Sequence, residues 1–155
     1  MSVRRASTND RERIREILLA TERFSRQEIG WAMELVDLAL GTARSEYEAH
    51  VVDDKGVQGY VLFGPTPLAE GVFDLYWIAV DPRRQGEGLG QLLLRFVETE
   101  VRSRDGRMLL IETSSKRSNA PTVRFYQQAG YREISRIKDF YRIEDDKVVF
   151  SKNLP

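Results

Sequence analysis

The chain has 155 residues, 41% hydrophobic and 31% charged, with 24 basic and 24 acidic side chains and a formal net charge of zero. That length and composition predict one folded domain over residues 1–155 and exclude disorder, and the neutral total argues against nucleic-acid binding, which needs surplus cations for phosphates. Lacking cysteine and holding one histidine, His50, the chain excludes disulfides, thiolate metal sites and a cysteine nucleophile, and is short of parts for zinc sites and Ser-His-Asp triads, so no metal is expected.

No apolar run approaches the roughly 18 residues of a membrane span. The first residues, MSVRRASTNDRERIRE, hold no apolar leader core. A cytoplasmic location without membrane contact is expected. Val3–Ala6 read as a first strand. Thr8, Asn9 or Asp10 caps a helix through about Thr21, with Ile14, Ile17 and Leu18 on one face. Ser25-Arg26-Gln27-Glu28 is a capping box, and the helix behind it turns Ile29, Met33, Val36 and Leu40 inward and ends at Gly41.

The period then changes to two. Tyr47–Val52 and Val57–Phe63 read as strands around the turn Asp53-Asp54-Lys55-Gly56. Val72–Val80 is apolar enough to be a central strand. A helix follows over Gly88–Arg104, with Leu89, Leu92, Leu93, Phe96, Val97 and Val101 in register. Met108–Glu112 is a buried strand. Asn119 caps and Pro121 opens another helix that stops at Gly130. Two last strands, Tyr131–Lys138 and Lys147–Lys152, flank an acidic turn at Glu144-Asp145-Asp146. The order β-α-α-β-β-β-α-β-α-β-β predicts an α/β fold with a mixed sheet.

The stretch Asp81-Pro82-Arg83-Arg84-Gln85-Gly86-Glu87-Gly88-Leu89-Gly90 joins a buried strand to an amphipathic helix. Alternate glycines let backbone approach a ligand closely. Free N–H groups at the helix start favour an anion, and Arg83 and Arg84 add cations. This is a phosphate cradle. It is not a P-loop, because Gly90 is followed by Gln91-Leu92 rather than Lys-Ser/Thr. Its G-x-G-x-G spacing also departs from the dinucleotide G-x-G-x-x-G, although Glu112 stands where a ribose-binding acid is wanted.

Gln85-Gly86-Glu87-Gly88-Leu89-Gly90 resembles the Q/R-x-x-G-x-G/A signature of the GNAT superfamily of N-acetyltransferases. Asp74-Leu75-Tyr76-Trp77-Ile78-Ala79-Val80 resembles the strand before that signature. Asn119-Ala120-Pro121-Thr122-Val123-Arg124-Phe125-Tyr126, then Gly130-Tyr131, resembles the downstream N-x-x-A-x-x-x-Y…G-F pattern. The likeness spans about residues 3–152, with the specific motifs at 74–131.

The resemblance implies acetyl-CoA as cofactor and direct transfer to a primary amine on a small molecule or a protein. It implies central strands splayed around the cofactor. The backbone of Ile78, Ala79 and Val80 would meet its pantetheine arm. Arg84, Gln85, Gly86, Gly88, Leu89, Gly90 and Gln91 would hold its pyrophosphate, and Asn119 and Tyr126 would also touch it. Tyr126 is the candidate general acid at the sulfur, and Asp74 the candidate base or relay through water. Glu112 is a competing acid. With Asp139 and Tyr141 it is a candidate acceptor-site residue. His50 reads as structural.

Two positions depart from the family pattern. Thr122 replaces the usual alanine, and Glu87 puts a carboxylate inside the phosphate loop. Residues 1–26 hold 7 basic and 4 acidic side chains (+3), residues 27–81 hold 2 and 10 (−8), and residues 82–155 hold 15 and 10 (+5). The acidic middle suits a cationic acceptor. Two other readings stay open: an acyl-CoA-binding regulatory module without catalysis, and a nucleotide-dependent reductase. Exposed aromatics at Phe140 and Tyr141 fit a monomer or a homodimer.

Overall fold

The computed structural model describes residues 1–43 and 45–155. Seven strands form one mixed sheet: β1 (Ser2–Arg5), β2 (Glu48–Asp53), β3 (Val57–Pro65), β4 (Val72–Val80), β5 (Met108–Ser114), β6 (Arg132–Arg142) and β7 (Asp145–Asn153), in the order β1-β2-β3-β4-β5-β7-β6. All neighbours are antiparallel except β4 and β5. Helices α1 (Arg11–Ala20) and α2 (Arg26–Leu40) cover one face, and α3 (Leu89–Ser103) and α4 (Ala120–Gln128) the other. This is the mixed α/β architecture the element order predicts.

Local chemistry explains most boundaries. The capping box at α2 forms in full: the Glu28 N–H donates to Ser25 Oγ at 3.1 Å and the Ser25 N–H donates to Glu28 Oε1 at 3.0 Å. Gly41 ends that helix in an extended conformation, φ −69°, rather than a left-handed one. In α3, Leu89, Leu93, Val97 and Val101 are buried against Val61, Phe63, Phe73 and Leu75 of the sheet. Each such side chain contributes about 1.5–3 kcal/mol by leaving water.

Three expectations need correction. The helix cap at Thr8–Asp10 is a short 3-10 turn opened by Ser7, whose N–H donates to Asp10 Oδ2 at 2.7 Å. Strand β6 runs four residues further than its pattern predicts, and Asp145 and Asp146 belong to β7 rather than to the turn. The Asp146 carboxylate explains the longer hairpin, since it accepts from Arg136 Nη1 at 2.8 Å and from the Asp139 N–H at 2.9 Å. Asn119 stands at the start of α4 but does not cap it with its side chain.

The decisive feature lies between β4 and β5. They pair only from Val72–Met108 to Leu75–Ile111, after which β4 continues beside β3 and β5 beside β7. On β3, Leu62 faces Trp77 and Phe63 faces Leu75, so Tyr76 is an extra, bulged residue at the point of divergence. A bulge bends a strand and increases its twist. It also resets side-chain alternation, so that Tyr76 and Trp77 both join the α1–α2 face.

Candidate active site

A cavity of about 550 Å³ opens where β4 and β5 part. Asp74, Tyr76 and Trp77 line it from β4, Glu112 and Thr113 from β5, Asn119 from the turn before α4, Thr122 and Tyr126 from α4, and Arg23 and Phe24 from the α1–α2 connection. Asp74 and Tyr126, 52 positions apart, thus border one space, and Glu112 and Tyr141 border it too. Asp139 does not line it: its carboxylate accepts from the Glu144 N–H at 2.8 Å in the β6–β7 turn.

Asp74 is half-buried. Thr66 Oγ donates to Asp74 Oδ2 at 2.7 Å, and the Tyr76 hydroxyl lies 3.5 Å from the same oxygen. Burial pushes the Asp74 carboxyl above the usual aspartate range, and the nearby Glu112 charge adds to that, outweighing the Thr66 hydrogen bond. Glu112 is exposed and ion-paired to Lys147 at 3.5 Å, whereas Asp74 has no ion-pair partner among the described residues.

Tyr126 is buried, and its hydroxyl has no hydrogen-bond partner among the described residues. Burial pushes its ionisation far up, while the Arg23 charge beside it pulls back. The group therefore stays a protonated donor. Arg23 reaches from the α1–α2 side to Thr122 on α4 and donates to its hydroxyl through Nη1. Thr122, the departure from the family pattern, is thus a hydrogen-bond acceptor inside the site. Asn119 spends its amide on Thr113 Oγ and on the Ser114 carbonyl, 2.8 Å away, which ties α4 to the end of β5.

Above the cavity, one edge of β4 is free. The Asp81 N–H bonds the Gln58 carbonyl of β3 at 2.8 Å. By strand alternation Ala79 points its backbone polar groups at β3 as well, and Ile78 and Val80 aim theirs into the gap. At the top stands the turn into α3. Gly86 and Gly88 both have φ 82°, and a Cβ on either would meet nothing within 4 Å. Their conformation requires glycine, and the space beside them is open. No side chain caps α3, so the N–H groups of Leu89, Gly90 and Gln91 remain donors without an intrahelical acceptor. Gly90 lets α3 approach α4, because a Cβ there would touch the Phe125 ring at 3.4 Å.

The two arginines of the turn are already engaged. Asp81, buried, accepts from Arg13 Nη2 at 2.6 Å, Arg83 Nη2 at 2.8 Å and the Arg83 N–H at 2.9 Å, and these bonds hold its carboxyl far below the usual range. Arg84 pairs with Asp54 at 2.7 Å and Glu87 at 2.8 Å. Glu87 therefore turns toward Arg84 rather than into the cradle. His50 is buried between Phe63 and Phe96, and burial lowers its proton affinity. Asp81, Thr66 and Arg23 carry no motif signal, because their roles come from partners distant in sequence.

Residues 45–133, more than half the chain, match the acetyltransferase (GNAT) domain family, and the chain belongs to that family. A GNAT-family protein from Desulfovibrio desulfuricans has 41% identity over 99% of each chain, with a TM-score of 0.94. An aminoglycoside 6'-N-acetyltransferase solved with coenzyme A shares the fold at 15% identity, covering 100% of this chain and 98% of its own, with a TM-score of 0.77. The [ribosomal protein bS18]-alanine N-acetyltransferase of Escherichia coli (strain K12) is 33% identical over 73 residues, 47% of this chain and 48% of its own length. The chain spans about half the length of the curated relatives it matches. No helix among the described residues is long and apolar enough to cross a membrane.

Proposed function

We propose that residues 1–155 act as one N-acetyltransferase domain that moves an acetyl group from acetyl-CoA directly to a primary amine on a small molecule or a protein. The observation that carries this reading is the shared cavity of Asp74 and Tyr126 at the foot of a gap whose top is an open, uncapped glycine cradle. The fit to acetyl-CoA rests on three features of the chain itself: donors at the start of α3, a free β4 edge at Ile78 and Val80, and a protonated hydroxyl below them.

Acetyl-CoA, when bound, supplies an acyl thioester. The Gly86–Gln91 backbone binds its phosphates, and Ile78 and Val80 orient its arm. Asp74 accepts the proton of the attacking amine, directly or through water, as the nitrogen–carbon bond forms. Tyr126 donates a proton to sulfur as the carbon–sulfur bond breaks. Asp74 is the better base than Glu112 because burial raises its proton affinity and it has no ion-pair partner among the described residues, whereas Glu112 is exposed and paired with Lys147. Of the ten carboxylates in residues 27–81, six (Glu28, Asp37, Glu48, Asp53, Asp54 and Asp81) pair with cations from outside that segment. The acidic excess is therefore largely spent on structure and does not itself select a polycation.

A thermal-shift series with acetyl-CoA, CoA, NADPH and ATP tests the cofactor. A ligand at 100 times its Kd adds about 2.7 kcal/mol, a rise of roughly 5–11 °C at this size. Only the CoA species should produce it; a rise with NADPH alone would move the site to the reductase class. In Gly88→Ala the rise should shrink, because a methyl enters the cradle and the left-handed backbone costs about 1–2 kcal/mol. Tyr126→Phe should lower kcat about 100-fold with unchanged acetyl-CoA affinity and fold, since the hydroxyl supports no internal hydrogen bond. Bound acetyl-CoA with no transfer to any amine would instead make the chain an acyl-CoA-binding module.

A further inference from the structure

The charges lining the cavity are nearly all matched within the protein. Lys116 stands 3.9 Å from Glu28, Arg142 stands 3.9 Å from Asp145, and Glu112 has Lys147. Two groups are left over among the described residues: the carboxylate of Asp74 and the guanidinium of Arg23.

Arg23 is poorly satisfied. Its Nε is buried with no hydrogen-bond partner, one Nη bonds a neutral hydroxyl, and its guanidinium packs 5.4 Å from the Phe24 ring centroid. A part-buried guanidinium without a counter-ion is costly, and an anionic ligand in the cavity would supply the missing charge. Geometry argues against the cofactor phosphates in that role, because none of the cradle residues Gly86–Gln91 lines the cavity that Arg23 borders. Thr122 fixes the guanidinium from across the gap, so its fork is held over the same space that Asp74 faces. A planar fork is suited to a carboxylate, which it can grip with two parallel hydrogen bonds.

We propose that the acceptor is a small aminocarboxylate: its amine meets Asp74 and its carboxylate meets Arg23, the two unmatched charges of one cavity. The inference rests on the acetyltransferase reading above and narrows its acceptor class. The product is the N-acetylated acid together with CoA thiol, and the amine proton leaves through Asp74. A cavity of about 550 Å³ has room for an amino acid beside the acyl end of the cofactor. Arg23 acts here as a specificity residue, and Thr122 as the residue that positions it.

The test compares matched acceptors in thiol-release assays: each common amino acid, its carboxamide and the amine lacking the carboxyl carbon. The acid form should exceed its carboxamide by about 10–100-fold in kcat/KM, the range of a lost charge-assisted hydrogen bond. Arg23→Gln should bring that ratio near one, chiefly through KM, with acetyl-CoA affinity by calorimetry unchanged. Arg23→Lys should keep part of the preference. Thr122→Val should weaken it without removing it. Carboxamides or plain amines turned over as well as the acids would overturn the proposal while leaving the acetyltransferase reading intact. So would an Arg23→Gln variant that loses kcat equally on all acceptors, which would place Arg23 at the acyl oxygen, or one that loses acetyl-CoA affinity. Failure to bind any CoA species would remove the acetyltransferase reading itself.

Discussion

Replacing Asp74 with asparagine should lower kcat/KM by about 10²–10⁴-fold, the usual contribution of a positioned base, while raising the melting temperature. The two effects share one cause. Burial and the Glu112 charge hold the Asp74 carboxyl above the ordinary aspartate range. Between its unfolded and folded titration points the folded state binds more protons than the unfolded state, so stability falls as pH rises through that window. At neutral pH the native protein therefore carries an unfavourable charge that the Asp74→Asn variant lacks, and the variant's amide oxygen still accepts from Thr66. The same shift sets the pH profile. Asp74 must be ionised to accept a proton, so kcat/KM should climb with pH along a limb displaced above the ordinary aspartate value of about 3.9. That limb should vanish in Asp74→Asn. A variant with native turnover, or an unchanged limb, would move the base to Glu112.

The second large effect concerns the helix that carries Tyr126. Glu98 of α3 is buried and accepts from the Tyr131 hydroxyl at 2.7 Å and from Lys152 Nζ at 3.2 Å, while the same Lys152 Nζ donates to the Ala129 carbonyl at 2.9 Å. This network joins α3, the end of α4 and β7. Gly130, at φ 95°, takes the left-handed conformation that ends α4 beside the lysine stem, a conformation that favours glycine. Lys152→Met should cost about 3–5 kcal/mol, because it strands a buried carboxylate, and lower the melting temperature by roughly 6–20 °C. Removing both charges in Glu98→Leu/Lys152→Met should recover most of that loss in urea melts. A single-variant cost under about 1 kcal/mol would place the pair among ordinary surface ion pairs.

Several features were legible in the residues because their causes are local. The Ser25–Glu28 box spans one turn of chain. The apolar run Val72–Val80 matches β4 at both ends, and the spacing of Gly86, Gly88 and Gly90 announces a backbone held close to a ligand. The three motifs of the resemblance sit on β4, the α3 turn and α4, and all three border the splayed gap. Other features were not legible. Asn119 reads as a cap, yet its amide is drawn to Thr113 and Ser114, whose position is set by β5. Arg84 reads as a free cation, yet Asp54 and Glu87 engage it. Asp139 reads as a pocket residue, yet it closes a hairpin turn.

From the chain alone come the order of elements and the cradle, since these depend on hydrogen bonds and side-chain periodicity within a few residues, while the acid and base candidates come from the family resemblance. Only the folded sheet decides where those groups meet. The bulge at Tyr76 arises from pairing with β3, and it coincides with the parting of β4 from β5 and turns Tyr76 and Trp77 to one face. The Arg23–Thr122 contact joins residues 99 positions apart, and it exists because two helical layers meet across the gap. Which charges in the cavity are matched and which are left over is a property of that assembly, because an ion pair forms wherever the fold brings opposite charges together, whatever their separation along the chain.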